Sequence, residues 1–211
     1  MLSPTYIHQL PDWPQFRWDV RTLQAQLTQT RLEQGRLLGR LSGQALALDD
    51  SARLQALTQE AVTSSGIEGE TLPTAQVRSS LARRLGLDSG PQAGLPRDKE
   101  GIVLVLLDAV QGHTQPLSAK RLFGWHAALF PTGRSGLHSI RTGDWRRDEH
   151  GPMQVVSGPL GRETIHFEAP SHERLGSEMD RFVAWFNQDD GQDLVLKSAL
   201  AHLYFVTLHP F

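Results

Sequence analysis

Cysteine is absent from the 211-residue sequence. That excludes a disulfide framework, a thiolate metal site and catalysis by a cysteine nucleophile, and it is compatible with the cytosol. Long apolar runs are absent too. The longest, Ile102 to Leu107, is far too short to span a bilayer. The stretch from Met1 to Trp18 is rich in proline and aromatics and lacks the basic region and apolar run of a signal peptide. No membrane association is expected, and the compartment expected is the cytoplasm. An excess of one charge is also missing, since 21 Lys+Arg stand against 23 Asp+Glu for a formal charge of -2. Such a balance gives no broad field for a nucleic-acid backbone, so nucleic acid is not an expected partner. No GxGxxG, GxxxxGK(S/T) or GxSxG occurs, which argues against Rossmann, P-loop and α/β-hydrolase chemistry. The nine histidines show no HExxH or comparable ligand spacing, and no protein-built metal site is expected.

What is present is helical periodicity. Val20, Leu23, Leu27, Leu37, Leu38 and Leu41 predict a helix over about 20–41 with one buried stripe, entered from the aromatic segment Trp13-Pro14-Gln15-Phe16-Arg17-Trp18. A second helix, capped around Asp49-Asp50-Ser51, carries Leu54, Leu57 and Ala61 on one face and ends near Ser64-Ser65-Gly66. Pro73 suits the first turn of a third, with Val77, Leu81 and Leu85 at i+4 steps and Gly86 as its stop. Two prolines and two glycines within Asp88 to Arg97 predict a linker. Beyond it, Asp98 and Ser118 are cap candidates for two apolar helices, the second holding Leu122, Phe123, His126, Leu129 and Phe130. Residues 131–152 read as a long surface loop, in which Arg146 and Arg147 count as exposed arginines. Met153 to Ser157 and Glu163 to Phe167, around Gly158-Pro159-Leu160-Gly161, predict a β-hairpin. Ser171 is expected to cap a helix with Leu175, Met179, Phe182 and Phe186 inward, and Asp193 a last helix through Leu208. With about eight helices and one hairpin, the fold class is mainly α.

The end of the chain, Ala199 to Phe211 (ALAHLYFVTLHPF), resembles the start of the signature HPFx(D/E)GNGRxxR of the Fic family of AMP-transferring enzymes, with its preceding apolar helix. Ser64-Ser65-Gly66-Ile67-Glu68-Gly69 matches the (S/T)xxxE(G/N) pattern of the inhibitory helix many Fic proteins carry. The opening WPxFxW, the EGExLP stretch at Glu68 to Pro73 and Val77 to Leu81 resemble the N-terminal domain of one bacterial Fic subgroup. The resemblance implies an N-terminal helical domain over 1–90, with the inhibitory helix near 57–69, and a Fic-like helical bundle over 91–211 with the hairpin as target-docking flap.

The implied activity is transfer of AMP from Mg²⁺-ATP to a Ser, Thr or Tyr hydroxyl of a protein. A hydroxyl is a poor nucleophile until a base takes its proton, and a neutral imidazole suits that task. His209 is the implied base, with Pro210 ending the helix before it and Phe211 wedging the turn. Glu68 is the implied inhibitor, occupying the place of the γ-phosphate by pairing with the signature's last arginine, while Ser64 and Gly69 shape its helix. Val155, Val156 and Ile165 would clamp the target segment or the adenine. Only the first three residues of the signature are in this sequence. The acidic Mg²⁺ ligand, the phosphate-cradling GNGR loop and the arginine would lie beyond Phe211, so the chain as written is expected to be truncated and nearly inactive. The expected partners are ATP, a target protein, the protein itself by self-modification, and a second copy through the helix bearing Gly35 and Gly39. The alternative from another class is a non-catalytic helical interaction module. A transcriptional regulator is disfavoured, since no basic recognition helix occurs.

Overall fold

A computed structural model describes residues 5–43, 50–88, 94–97, 99–135, 138–149, 151–159 and 161–211. The cap candidates Asp49 and Asp98, much of the linker at 89–93 and Leu160 of the hairpin turn lie outside the described residues. Among those described, the structure has seven α-helices and two small antiparallel hairpins, a mainly α fold with one helix fewer than the sequence suggested. In order these are α1 (Val20–Gly43), α2 (Asp50–Ile67), α3 (Thr74–Arg84), α4 (Glu100–Gln111), α5 (Ala119–Leu129), β1 (Arg134–Ser135), β2 (His138–Ser139), β3 (Gln154–Ser157), β4 (Thr164–Glu168), α6 (His172–Asn187) and α7 (Leu194–Leu208). A 3-10 turn at Ile7–Gln9, unforeseen from the sequence, precedes them.

The chain divides into two compact units that do not follow chain order. One comprises Met1–Val20, Pro116–Gly124 and Ile140–Phe211; the other Arg21–Gln115 and Trp125–Ser139.

In the second of these, α2, α3 and α4 close on a core of Leu54, Leu57, Ala61, Leu72, Val77, Leu81, Leu95, Val103 and Leu107. The i+4 spacing of Val77 and Leu81 puts both on the inward face of α3, where each is 0% exposed. Burying such a side chain contributes about 1.5–3 kcal/mol. Ser80, 1% exposed, joins the end of the linker to α4: its Oγ donates to Glu100 Oε1 at 2.5 Å and accepts the Leu95 N–H at 2.9 Å. Arg84 adds a fork onto Glu100 Oε2 at 2.9 and 3.2 Å. Gly101 has a packing role, because a Cβ there would lie 1.9 Å from the Ala128 carbonyl oxygen in the last turn of α5.

The buried stripe predicted for α1 is not found. Leu32, Leu37 and Leu38 stand 47%, 51% and 62% exposed, while Leu23 and Leu27 are half-buried and the side chain of Leu41 lies outside the described residues. The helix is supported instead by its own good formers and by pairs one turn apart, such as Arg36 Nη1 to Glu33 Oε1 at 2.7 Å.

The other unit is built on α6 and α7. Leu175, Met179 and Phe182 face inward as predicted, but Phe186 is 40% exposed in the last turn of α6. Tyr204 on α7 is 1% exposed, ringed by Trp13 (centroids 4.9 Å apart), Phe182 (5.2 Å), Phe16 (5.6 Å) and Trp185 (5.8 Å). Burial pushes its phenol up to about 12, with Glu178 adding to the shift and Arg181 opposing it. The aromatic opening segment is thereby held to α7, and Trp13 Nε1 also donates to the buried Glu178 at 3.0 Å. Asp193 caps α7 as expected, accepting from Val195 and Leu196 N–H at 2.9 and 3.2 Å. Ser171 does not cap α6 with its side chain, which turns to Glu173 at 3.2 Å; Asp148 Oδ2 takes the His172 N–H instead, at 2.8 Å.

Candidate functional site

At the end of α7, Pro210 has no N–H with which to continue the helix. His209 therefore becomes its left-handed cap, at φ 45 and ψ 62, with its N–H bonded to Phe205 O at 3.1 Å. It is the one non-glycine residue with positive φ among those described. A β-carbon residue in that region costs on the order of 1 kcal/mol, so something must hold it there. The imidazole turns back so that Nδ1 sits 2.6 Å from Val206 O. A carbonyl oxygen only accepts, so Nδ1 carries the proton and the Nε2 lone pair is left available. Phe205, Val206, His209, Pro210 and Phe211 line a small open cavity of about 160 Å³.

Holding the turn is the work of Arg146, and here the reading of an exposed arginine is overturned. The Arg146 side chain is only 9% exposed. Its Nε donates to His209 O at 2.5 Å, and its Nη2 to Pro170 O at 2.6 Å and Leu208 O at 3.4 Å. Its backbone N–H reaches Pro210 O at 2.9 Å. Nη1 pairs with Asp148 Oδ1 at 2.6 Å, and the other oxygen of that carboxylate caps α6. One ion pair therefore satisfies carbonyls at the C-terminus of α7 and an N–H at the N-terminus of α6, each charge at the helix end whose dipole favours it. Burial pulls Arg146 below its ordinary pKa, and Asp148 opposes that shift. Breaking such a pair from one side costs about 3–5 kcal/mol, because the remaining charge is left buried. No periodicity or spacing picks Arg146 out of its charged loop; only the arrival of three backbone segments around it shows the role.

Phe211 packs beneath the same turn against Trp145 (5.4 Å between centroids), Phe205 (6.3 Å) and Phe123 (6.4 Å). The hairpin in this unit pairs Gln154 with Glu168, Val155 with Phe167, Val156 with Ile165 and Ser157 with Thr164, with a bulge between Val155 and Val156. Val155, Val156 and Ile165 are 41%, 47% and 47% exposed, an apolar ribbon open to solvent. Ser157 Oγ and His166 Nε2 share a hydrogen bond of 2.6 Å across the strands.

Ser64, Glu68 and Gly69 belong to the other unit. Helix α2 runs through Ile67, and its end turns where Glu70 N–H returns to Ser65 O at 2.8 Å, with Gly69 at φ +83. That positive φ is the reason for glycine there. Ser64 Oγ donates to Glu60 Oε1 one turn back at 2.8 Å. The Glu68 carboxylate is exposed and lines an open cavity of about 640 Å³ with Ser64, Lys99, Phe130 and Arg134 among its walls. Lys99 Nζ lies 3.4 Å from both Glu70 Oε2 and Thr71 O. Of the histidines other than His209, His8 and His126 are buried; His8 Nε2 bonds Glu168 O at 2.8 Å, and burial lowers the pKa of His126.

Among the described residues no three His, Asp or Glu side chains group as a metal-holding set. No helix among the described residues is long and apolar enough to cross a membrane.

Residues 6–87 match a domain of unknown function (DUF4172), and residues 116–211 match the Fic/DOC family. Among solved structures, the chain is similar to a Fic family protein from Desulfovibrio desulfuricans, with a TM-score of 0.53 at 19% identity, over 88% of this chain and 52% of that one. The chain thus spans about half the length of that solved relative. No curated protein matches it.

Proposed function

We propose that the protein, whose residues 116–211 match the Fic/DOC family, moves AMP from ATP to a Ser, Thr or Tyr hydroxyl of a protein, in the cytoplasm. His209 is the general base and Glu68 the inhibitor. The observation that carries the reading is the His209 turn: Nδ1 is committed to Val206 O at 2.6 Å, so that in the neutral ring Nε2 is the atom left to accept a proton. In the step proposed, the target oxygen attacks the α-phosphorus of ATP and gives its proton to Nε2. The bond from the α-phosphorus to the bridging oxygen breaks, and pyrophosphate leaves. Mg²⁺ accompanies ATP as part of the substrate.

Glu68 supports the regulatory half. A carboxylate on the wall of a cavity that also holds Lys99 and Arg134 competes with a triphosphate for those cations and repels it. Val155, Val156 and Ile165 would receive the target as an added strand, where backbone pairing aligns a hydroxyl without reading much sequence. The target is another protein or a second copy of this one, and the Gly35 and Gly39 face of α1 would serve a homodimer.

The test is intact mass after incubation with Mg²⁺-ATP, for the full-length product of the gene, its Glu68→Gly variant and the Glu68→Gly, His209→Ala double variant. Gain of one AMP, strongest in Glu68→Gly and absent in the double variant, is expected. Equal labelling with and without His209 would remove it as base, and no gain from Glu68→Gly would remove the inhibitory role.

A further inference from the structure

The left-handed turn that presents His209 is gripped from outside its own helix. Within α7 and its cap, two bonds shape the turn, His209 N–H to Phe205 O and Nδ1 to Val206 O. Both leave the carbonyls of Leu208, His209 and Pro210 without partners from the helix. All three are taken by Arg146, two through its side chain and one through its backbone N–H. The same guanidinium takes Pro170 O, the residue that leads from the hairpin into α6, and it is held in plane by Asp148. We propose that Arg146 is the positioning residue of the site, fixing the backbone of the His209 turn and through it the ring orientation and tautomer. A further consequence is that the hairpin is set in register with the base, because one planar group bonds the end of the flap and the cap of α7.

A guanidinium is suited to this and an ammonium is not. Five donors in a fixed plane can meet a carboxylate and three carbonyls at once, whereas a lysine offers three donors around a point. The left-handed conformation of His209 needs such over-determination to persist. A ring displaced by about 1 Å from its productive place loses on the order of a hundredfold in rate.

This inference rests on the proposed transfer activity, and the experiment separates the two. The full-length protein is made as Glu68→Gly, to release inhibition, and then with Arg146→Ala, Arg146→Lys or Asp148→Asn. Steady-state AMP transfer gives kcat and KM for ATP, and ¹⁵N-histidine NMR, with His209 assigned by a His209→Gln variant, gives the tautomer. Arg146→Ala is expected to lower kcat about a hundredfold with KM for ATP unchanged. It should also turn the single Nδ1–H tautomer of His209 into a mixture. Arg146→Lys recovers only part of either, and guanidinium ion added to Arg146→Ala restores part of both. A kcat within threefold of the parent, with the His209 signals unmoved, overturns the proposal. Where Arg146→Ala does not fold, Arg146→Lys and Asp148→Asn are judged by the same two criteria. A parent that transfers no AMP sinks the activity alone, and the tautomer then decides the brace by itself.

Discussion

Ser80→Ala removes a single oxygen, yet three elements depend on it. The hydroxyl is the acceptor for the Leu95 N–H at 2.9 Å and the donor to Glu100 Oε1 at 2.5 Å, in a site where Ser80 is 1% and Leu95 7% exposed. Without it the Leu95 N–H is a buried donor with no partner, which costs about 1–3 kcal/mol. The hydrogen bond to the carboxylate is charge-assisted and its loss adds about 1.5–3 kcal/mol, reduced because the Arg84 fork still holds Glu100 Oε2. The two losses share one carboxylate and overlap, so the expected destabilisation is about 3 kcal/mol, or roughly 6–12 °C in Tm for a chain of this length. Urea unfolding followed by circular dichroism measures it, with Thr63→Ala on the exposed face of α2 as a control that shifts by less than about 0.5 kcal/mol.

The pH dependence tests the mechanism. Burial pushes the Glu100 carboxyl up, but the Ser80 hydroxyl and the Arg84 and Arg83 guanidiniums outweigh it and hold the folded pKa below the ordinary 4.5. A lowered folded pKa contributes stability that is present above 4.5 and lost as pH falls through the folded value. Ser80→Ala weakens that contribution, so the gap between wild type and variant is widest near neutral pH and narrows below 4.5. A loss under about 1 kcal/mol at pH 7, or a gap that does not change with pH, would mean that Ser80 does not hold Leu95 and Glu100 in this way.

Gly101→Ala raises intrinsic helix propensity by about 1 kcal/mol and still should destabilise by about 3 kcal/mol, because its Cβ would meet the Ala128 carbonyl oxygen at 1.9 Å and carbon at 2.5 Å. A thermal melt showing a higher Tm would contradict the close approach of α4 and α5. Asp193→Ala removes the oxygen that takes two N–H groups at the start of α7 and should cost about 1 kcal/mol in urea, whereas Asp193→Asn, which keeps an acceptor, should lie much nearer wild type.

Local sequence was enough to specify most of the helices and several of their ends. Apolar residues at 3.6-residue spacing, Asp193 as a cap, Gly86 after α3 and Pro210 after α7 act within a few residues, so the chain's local code was sufficient to place them. It also determined the type of the candidate base and its helix-ending neighbour, since a histidine before a proline cannot extend α7 whatever surrounds it. What α1 buries was decided elsewhere: periodicity specifies a stripe, but only tertiary contact says whether anything lies on it, and Leu37 and Leu38 are exposed. The capping of α6 passed from Ser171 to Asp148, which takes the N–H of His172, 24 residues away, for the same reason. Arg146 is the clearest case. Nothing in Gly143-Asp144-Trp145-Arg146-Arg147-Asp148 separates it from the arginine beside it, because its role exists only where the carbonyls of Leu208, His209 and Pro170 converge on one buried guanidinium. Local propensity is a property of neighbouring residues, whereas desolvation of a charge and the convergence of its acceptors arise only when distant segments meet.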